Sequence, residues 1–341
     1  MAGAGAPTHM RAVFFPTQRT MEVREVPVKQ PGAGEVLLRV RFCGICGSDV
    51  SVYKGGALAG PDVVLGHEIS AEVVYDPGGE WQPGSRVAVF PPTGCGDCIW
   101  CREQQPRYCL DPTMQKRWGG YAEYTVYPSE NLIPIPDQID DQTATLGDPL
   151  GVGVRAVAVA DPKPGSTAYV AGLGAIGLCT VSALAAAGCR VVGADVREDR
   201  RELGLEIGCE KVIDPGAEDA YQVGLDLDPH GFRCAFEASG APAALQEIWD
   251  ACGHGGTVGI LGIPTMPVLL LRMTVREQLA FSIAGPTWDS MADALVHLHR
   301  HPEITRMITD TVPLEAVPET MAALADGKGG IKVLVDPRSS G

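Results

Sequence analysis

The chain carries 27 Lys and Arg against 42 Asp and Glu over 341 residues, a formal net charge of −15. Such a field repels phosphate backbones and anionic membranes, and no run of Lys or Arg is longer than two, so nucleic acids and lipid surfaces are excluded as expected partners. The length admits two domains with separate cores, while apolar stretches such as Val87 to Phe90 and Ala168 to Ala171 are strand-sized, far below the roughly 20 residues that cross a bilayer; a soluble, cytoplasmic protein is expected.

Residues 1–9, MAGAGAPTH, have neither a charged n-region nor a long apolar stretch and do not form a secretory signal. They read as a flexible extension or a remnant of cloning ahead of a body that starts at Met10. From there to about residue 150, short β-rich runs (MRAVFF, EVLLRVRFCG, ISAEVVYD, GSRVAVF, YAEYTVY) are separated by Gly and Pro turns, with an apolar period near two. The pattern predicts a partly open, mostly-β domain over 10–150.

Two groups of metal-type donors fall inside that domain. Cys46 in CGICGSD and His67 in GHEIS each end a predicted strand, and a thiolate and an imidazole from separate segments begin a zinc site that keeps one position open. Its third ligand is sought among Asp148, Glu68 and Cys43. The competing reading, a redox pair of Cys43 and Cys46, lacks the βαβ helix such a motif opens. Further on, Cys95, Cys98, Cys101 and Cys109 lie in GCGDCIWCREQQPRYC with two, two and seven residues between them. Four thiolates close a tetrahedron and leave no position for water, as in a structural site, here holding a lobe at 91–111 that has little apolar content. Two disulfides or an iron–sulfur centre are the alternatives; eleven cysteines, four of them clustered, in an acidic chain without an export signal favour zinc.

Near Pro164 the pattern changes. Strand STAYVAG, an Ala-rich helix, strand CRVVGAD, helix EDRRELGLEIG, strands KVID and RCAFEAS, helix PAALQEIWDAC and strand GGTVGILG predict a parallel sheet covered by helices over 151–286. Gly172, Gly174 and Gly177, with Leu173, Ala175 and Ile176 between them, form G-x-G-x-x-G after a strand and before a helix. The first glycine permits a tight turn, the second lets a pyrophosphate approach backbone, and the third lets helix pack on strand. Asp195 ends the second strand, where its carboxylate accepts from ribose hydroxyls and repels a 2′-phosphate, favouring NAD over NADP; Arg197 and Arg200 just beyond soften that preference. An ordinary glycine turn with Asp195 as a helix cap is the plainer reading. The tail over 287–341 (helix MADALVHLHRHP, helix within VPLEAVPETMAAL, closing strand IKVLVD) is expected to rejoin the first domain, leaving the nucleotide domain as an insert. GGTVGILG is expected near an exposed sheet edge, where it could pair with its twin.

Taken in order, CGICGSD, GHE, the four-Cys lobe, GGYAEY at 119–124 and GLGAIG resemble the zinc-containing medium-chain alcohol dehydrogenases across residues 10–337, and most of all their polyol (sorbitol-like) and threonine dehydrogenase branches. That resemblance implies a GroES-like catalytic domain made by both chain ends, an α/β Rossmann domain between, a cleft holding the active zinc, NAD, two zinc ions per chain (one catalytic, one structural), and a homodimer or homotetramer. It implies that Cys46 and His67 bind the catalytic zinc and that Glu68 lies beside it and exchanges as a ligand. The third ligand, Cys or Glu in relatives, is matched by Asp148 in GDPLGVGV. Ser48 matches the Ser/Thr that takes the alcohol proton, whereas Ser51 stands where many relatives carry a relay histidine. Asp49 is expected as a structural carboxylate near the metal, and Arg155 near the metal or the cofactor.

The expected reaction is hydride transfer between NAD and a secondary alcohol of a polyol, sugar alcohol, cyclitol or amino-polyol, because Glu, Asp, Ser and Tyr near the zinc suit a hydroxyl-rich or amino-alcohol substrate. An L-threonine 3-dehydrogenase-like amino-alcohol enzyme is the alternative, supported by the Asp-Pro at 148–149 and weakened by the GVGV that follows. A non-catalytic dinucleotide sensor is the third reading, and the presence of both Cys46 and His67 argues against it. Tyr53, Trp118, Tyr121 and Trp288 are expected to shape the pocket or to serve as core.

Overall fold

Alternation of apolar residues builds the first sheet strands. In the computed structural model, which describes residues 7–55, 62–103, 105–111, 118–262 and 271–339, contacts divide the chain into two units. One runs up to Gly147 and resumes at Ile308; the other is Asp148–Met307. Residues 1–6 of the expected extension and Gln104 of the lobe lie outside the described residues.

The first unit contains strands β1 (His9–Thr17), β2 (Thr20–Pro27) and β3 (Glu35–Gly44), helix α1 (Gly47–Tyr53), strands β4 (Val63–Val64), β5 (Glu68–Tyr75) and β6 (Arg86–Val89), helix α2 (Ile99–Arg102), strands β7 (Tyr124–Pro128) and β8 (Leu132–Pro134), and helix α3 (Asp141–Ala144). The second unit follows with α4 (Gly147–Ala160), β9 (Thr167–Ala171), α5 (Ala175–Ala186), β10 (Arg190–Ala194), α6 (Glu198–Ile207), β11 (Lys211–Ile213), α7 (Ala220–Leu227), β12 (Phe232–Glu237), α8 (Pro242–Ala251), β13 (Cys252–Ile260), α9 (Leu271–Arg276), β14 (Leu279–Ser282) and α10 (Trp288–Arg300). The chain then returns to the first unit through β15 (Ile308–Val312), α11 (Val317–Ala325) and β16 (Lys332–Val335).

In the first unit the main sheet runs β15-β16-β3-β5-β6-β8, with β7 also on β3, beside a small sheet β2-β1-β4. Val36, Leu38 and Val40 of β3 meet Ile69, Ala71 and Val73 of β5 and Val87 and Val89 of β6 in a buried cluster closed by Leu314, Met321 and Val335 from the chain's end. Gly44 at the end of β3 pairs with Glu68 on one side and Leu334 on the other. The closing strand therefore completes the sheet from which the metal-type donors project.

In the second unit six parallel strands run β11-β10-β9-β12-β13-β14. Interior β9, TAYVA, is buried at every position, as a strand covered on both faces requires. Strand order reverses between β9 and β12, so the carboxyl ends of these two flank the crevice where such sheets take ligands. Two expectations need correction. β13, which contains GGTVGI, is not the edge: it pairs with both β12 and β14, and among the described residues the edge is β14, whose Leu279 is 68% exposed. The return to the first unit comes at Ile308, after the expected 287, because α10 buries Met291, Ala294, Leu295 and Leu298 within the second unit. His297 of α10 also shares a 2.8 Å hydrogen bond with Ser182 of α5.

Candidate metal centres and dinucleotide turn

Cys46 caps α1 at its N-terminus, and Asp49 in the first turn reaches back to it. Asp49 Oδ2 accepts from Cys46 N at 3.0 Å and from Tyr121 Oη at 2.7 Å. Its Oδ1 faces His67 Nδ1 at 3.4 Å, an ion-pair contact between two buried atoms that form no hydrogen bond among the described residues. A carboxylate on Nδ1 leaves the opposite ring nitrogen for a metal, the arrangement that orients a ligating imidazole. Donor atoms of Cys46, His67 and Glu68 all lie within 4.8 Å of one another. Burial works against a charged His67, yet the Asp49 carboxylate and the Cys46 sulfur outweigh it and hold the ring well above its ordinary pKa. Burial likewise opposes charge on Asp49, and His67 and Tyr121 reverse it, leaving the carboxyl below its usual range. The Cys, His, Glu donor set suits zinc.

Glu68 is 1% exposed, and both its oxygens lie 2.7 Å from the ammonium of Lys332, itself 2% exposed. Lys332 also donates to the carbonyl of Ile45, next to Cys46, at 3.1 Å. Sequence reasoning missed this lysine; the available signal is a cation in the otherwise apolar strand β16, KVLV.

The four-Cys lobe has the sulfur spacing zinc requires. Cys98 and Cys101 sulfurs are 3.5 Å apart, while Cys95–Cys101 and Cys98–Cys109 are each 4.0 Å. A tetrahedron with bonds of roughly 2.3 Å places sulfurs about 3.8 Å apart. All eleven cysteines are free of disulfides. Backbone N–H groups of Leu110 and Cys101 pull the Cys98 thiol down to about 6, whereas loss of solvent pushes Cys101 up to about 12. The lobe buries little: Ile99, Trp100, Tyr108 and Leu110 are all exposed, with Trp100 and Tyr108 ring centroids 5.1 Å apart.

At the dinucleotide turn each glycine has a distinct physical reason. Gly172 has φ +96°, and a Cβ there would sit 2.6 Å from the Ser239 side chain; one on Gly177 would fall 1.8 Å from the Gly172 carbonyl oxygen. Beside Gly174, the N-cap of α5, only Arg200 Nη1 among the described residues comes within 4 Å of that position, at 3.9 Å, so its backbone is open to a ligand. Asp195 has a structural task as well: Oδ2 accepts from Leu173 N and Oδ1 from Arg197 N, each at 2.9 Å. Arg200 Nη1 lies 3.5 Å from Asp195, whereas the Arg197 guanidinium is paired with Asp199.

Comparison with known proteins agrees with this geometry. Residues 32–137 match the alcohol dehydrogenase GroES-like domain, and residues 175–297 match the zinc-binding dehydrogenase family. The chain is 35% identical to an L-threonine 3-dehydrogenase of Pyrococcus horikoshii over 252 residues, 71% of this chain and 72% of that one. With a sorbitol dehydrogenase of Bacillus subtilis it shares 31% over 281 residues, 78% and 79% of the two chains. A putative zinc-binding dehydrogenase from Sinorhizobium meliloti, solved with NADP, superimposes with a TM-score of 0.88 at 28% identity, covering 97% of this chain and all of that one. The chain belongs to the zinc-binding medium-chain dehydrogenase/reductase family. It is a zinc-dependent, NAD-linked dehydrogenase built from a GroES-like domain and a Rossmann domain, with one Cys/His/Glu and one four-Cys zinc-binding motif.

As this dehydrogenase is built, Ser48 is half-buried in the first turn of α1 and Ser51 is exposed on the same helix. Asp148 lies in the first turn of α4 in the second unit and is 5% exposed. Arg155 of α4 donates to the Gly285 carbonyl at 2.8 Å. Cys43 does not join the donor group: it is fully buried, its thiol is pushed well up by burial, and its sulfur fills the space beside Gly66 and Gly120. Of the four aromatics, Tyr53 and Tyr121 are core, the first donating to the Arg19 carbonyl and the second to Asp49. Trp118 lies against His67, ring centroids 5.8 Å apart, and Trp288 is 39% exposed at the start of α10.

Proposed function

We propose that this dehydrogenase oxidises a small secondary alcohol bearing an adjacent amino group, of the L-threonine type, with NAD accepting the hydride. The reaction class rests on one observation above all, the convergence of Cys46, His67 and Glu68 donor atoms within 4.8 Å in a chain that also carries the glycine turn. For the substrate, the relatives favour the amino-alcohol reading over the polyol reading preferred on sequence alone, with 35% identity to the threonine enzyme against 31% to the sorbitol enzyme. The sorbitol relative keeps a polyol as the second reading.

Zinc held by Cys46 and His67 supplies Lewis acidity toward the substrate oxygen, and NAD supplies the hydride acceptor. Asp49 fixes the His67 ring, and Tyr121 fixes Asp49. We assign Ser48 as acceptor of the alcohol proton. Ser51 cannot relay that proton as an imidazole does, so it leaves through water, the cofactor ribose or another side chain. Asp195 selects NAD, since a 2′-phosphate would meet its carboxylate while Arg197 is held by Asp199. Among the described residues β14 pairs with β13 alone, and a homodimer or homotetramer would cover its free edge.

Steady-state kcat/KM across L-threonine, other amino alcohols, sorbitol and plain aliphatic alcohols tests the reading. L-threonine is expected to lead. A lead for sorbitol selects the second reading, and preference for plain aliphatic alcohols contradicts both.

A further inference from the structure

We infer that Lys332 is a positioning residue that decides whether Glu68 acts as a metal ligand, holding its carboxylate back from the ion at Cys46 and His67. The sheet order β16-β3-β5 puts Lys332 and Glu68 two strands apart, with Gly44 of β3 between them. Glu68 crosses that strand because Gly44 has no side chain: a Cβ there would lie 1.9 Å from Glu68 Oε2 and 3.1 Å from its Cδ. On the far side Lys332 meets each carboxylate oxygen at 2.7 Å and the Ile45 carbonyl at 3.1 Å. The same carboxylate lies within 4.8 Å of the Cys46 and His67 donor atoms.

Two cations therefore compete for one buried carboxylate. An ammonium on both oxygens draws charge from the ligand and, as a like charge in a poorly screened interior, repels a metal that approaches it. If Glu68 bound permanently beside Cys46, His67 and a further protein ligand, no position would stay open for substrate. Lys332 thus preserves the open position without touching substrate or metal.

The inference rests on the zinc reading of Cys46 and His67, and cobalt(II) in place of zinc separates the two. Cobalt absorption that disappears in Cys46→Ser identifies ion at this site; a protein whose cobalt signal ignores Cys46→Ser refutes the zinc reading itself. With that site established, Lys332→Met is expected to slow cobalt release to a chelator by about tenfold, the equivalent of about 1.4 kcal/mol, and to change the cobalt absorption as Glu68 joins the ion. Gly44→Ala, which expels the carboxylate from its crossing point, serves as a second variant should the buried charge in Lys332→Met prevent folding, and is expected to act in the same direction. Glu68→Gln added to either variant returns release to the parent rate, and Lys332→Arg retains most of the parent behaviour. A lysine with only a structural task predicts the opposite sign, faster release from a loosened site. That result overturns the inference, as does many-fold faster release in Glu68→Gln alone, which would make Glu68 a resting ligand.

Discussion

The two zinc-binding motifs use similar donors in opposite surroundings. Cys46, His67 and Glu68 project from a sheet whose strands are buried on their own account, and Asp49, Tyr121 and Lys332 fix them by hydrogen bonds and ion pairs that need no metal. The lobe around Cys95, Cys98, Cys101 and Cys109 has two short helical turns and exposed aromatics. One motif is held by the fold and lends an open position to chemistry; the other holds its own loop. Metal should therefore be dispensable for structure in the first and for the chemical step in the second.

The largest expected effect breaks the first motif: Cys46→Ser should lower kcat/KM by on the order of 1,000-fold or more. Its circular dichroism and its affinity for NADH should match the parent's. Next, Cys98→Ser should leave one zinc per chain by elemental analysis, open the lobe to limited proteolysis and lower Tm by about 5–10 °C, corresponding to roughly 2–4 kcal/mol. NADH affinity is again unchanged. Loss of fold in the first variant, or an intact lobe in the second, would erase the contrast.

A finer test concerns the bonds that preform the first motif. Tyr121→Phe removes one donor from fully buried Asp49, at a stability cost of about 1–3 kcal/mol, and turnover should fall while the four-Cys metal is retained. The smallest effect asks whether acid sensitivity belongs to the metals at all. Burial, then the charges on His301 and Arg300, push His297 in the second unit down to about 4. Between an unfolded-state value of about 6.5 and that folded value, the unfolded chain binds the extra proton, so stability is full above the window and declines as pH falls through it. The ring is partly exposed, which reduces the loss to about 1 kcal/mol. His297→Gln should flatten the dependence of Tm on pH across that window and leave the metal sites untouched.

Much of this was legible in the sequence because the signals are local. The four cysteines, the glycine turn and the strands around it lie within short windows where spacing carries the chemistry. Strand β2, helix α7 and edge strand β14 were not read. The first is polar and exposed, α7 is short, and β14 has only four residues. The Asp49–His67–Tyr121 contacts and the Glu68–Lys332 pair join residues far apart in the chain, 264 positions in the latter case, and depend on the order of β16, β3 and β5. Boundary prediction failed at α10 because an amphipathic helix displays which face it buries, not which body it packs on.

The decisive measurement is NAD reduction by L-threonine in metal-stripped protein refilled stepwise with zinc, run beside Cys46→Ser whose lobe has been refilled. Turnover that returns with zinc in the parent and never appears in Cys46→Ser is the predicted result. Undiminished turnover in Cys46→Ser, with zinc held only by the lobe, would contradict a hydride transfer that depends on metal at Cys46 and His67.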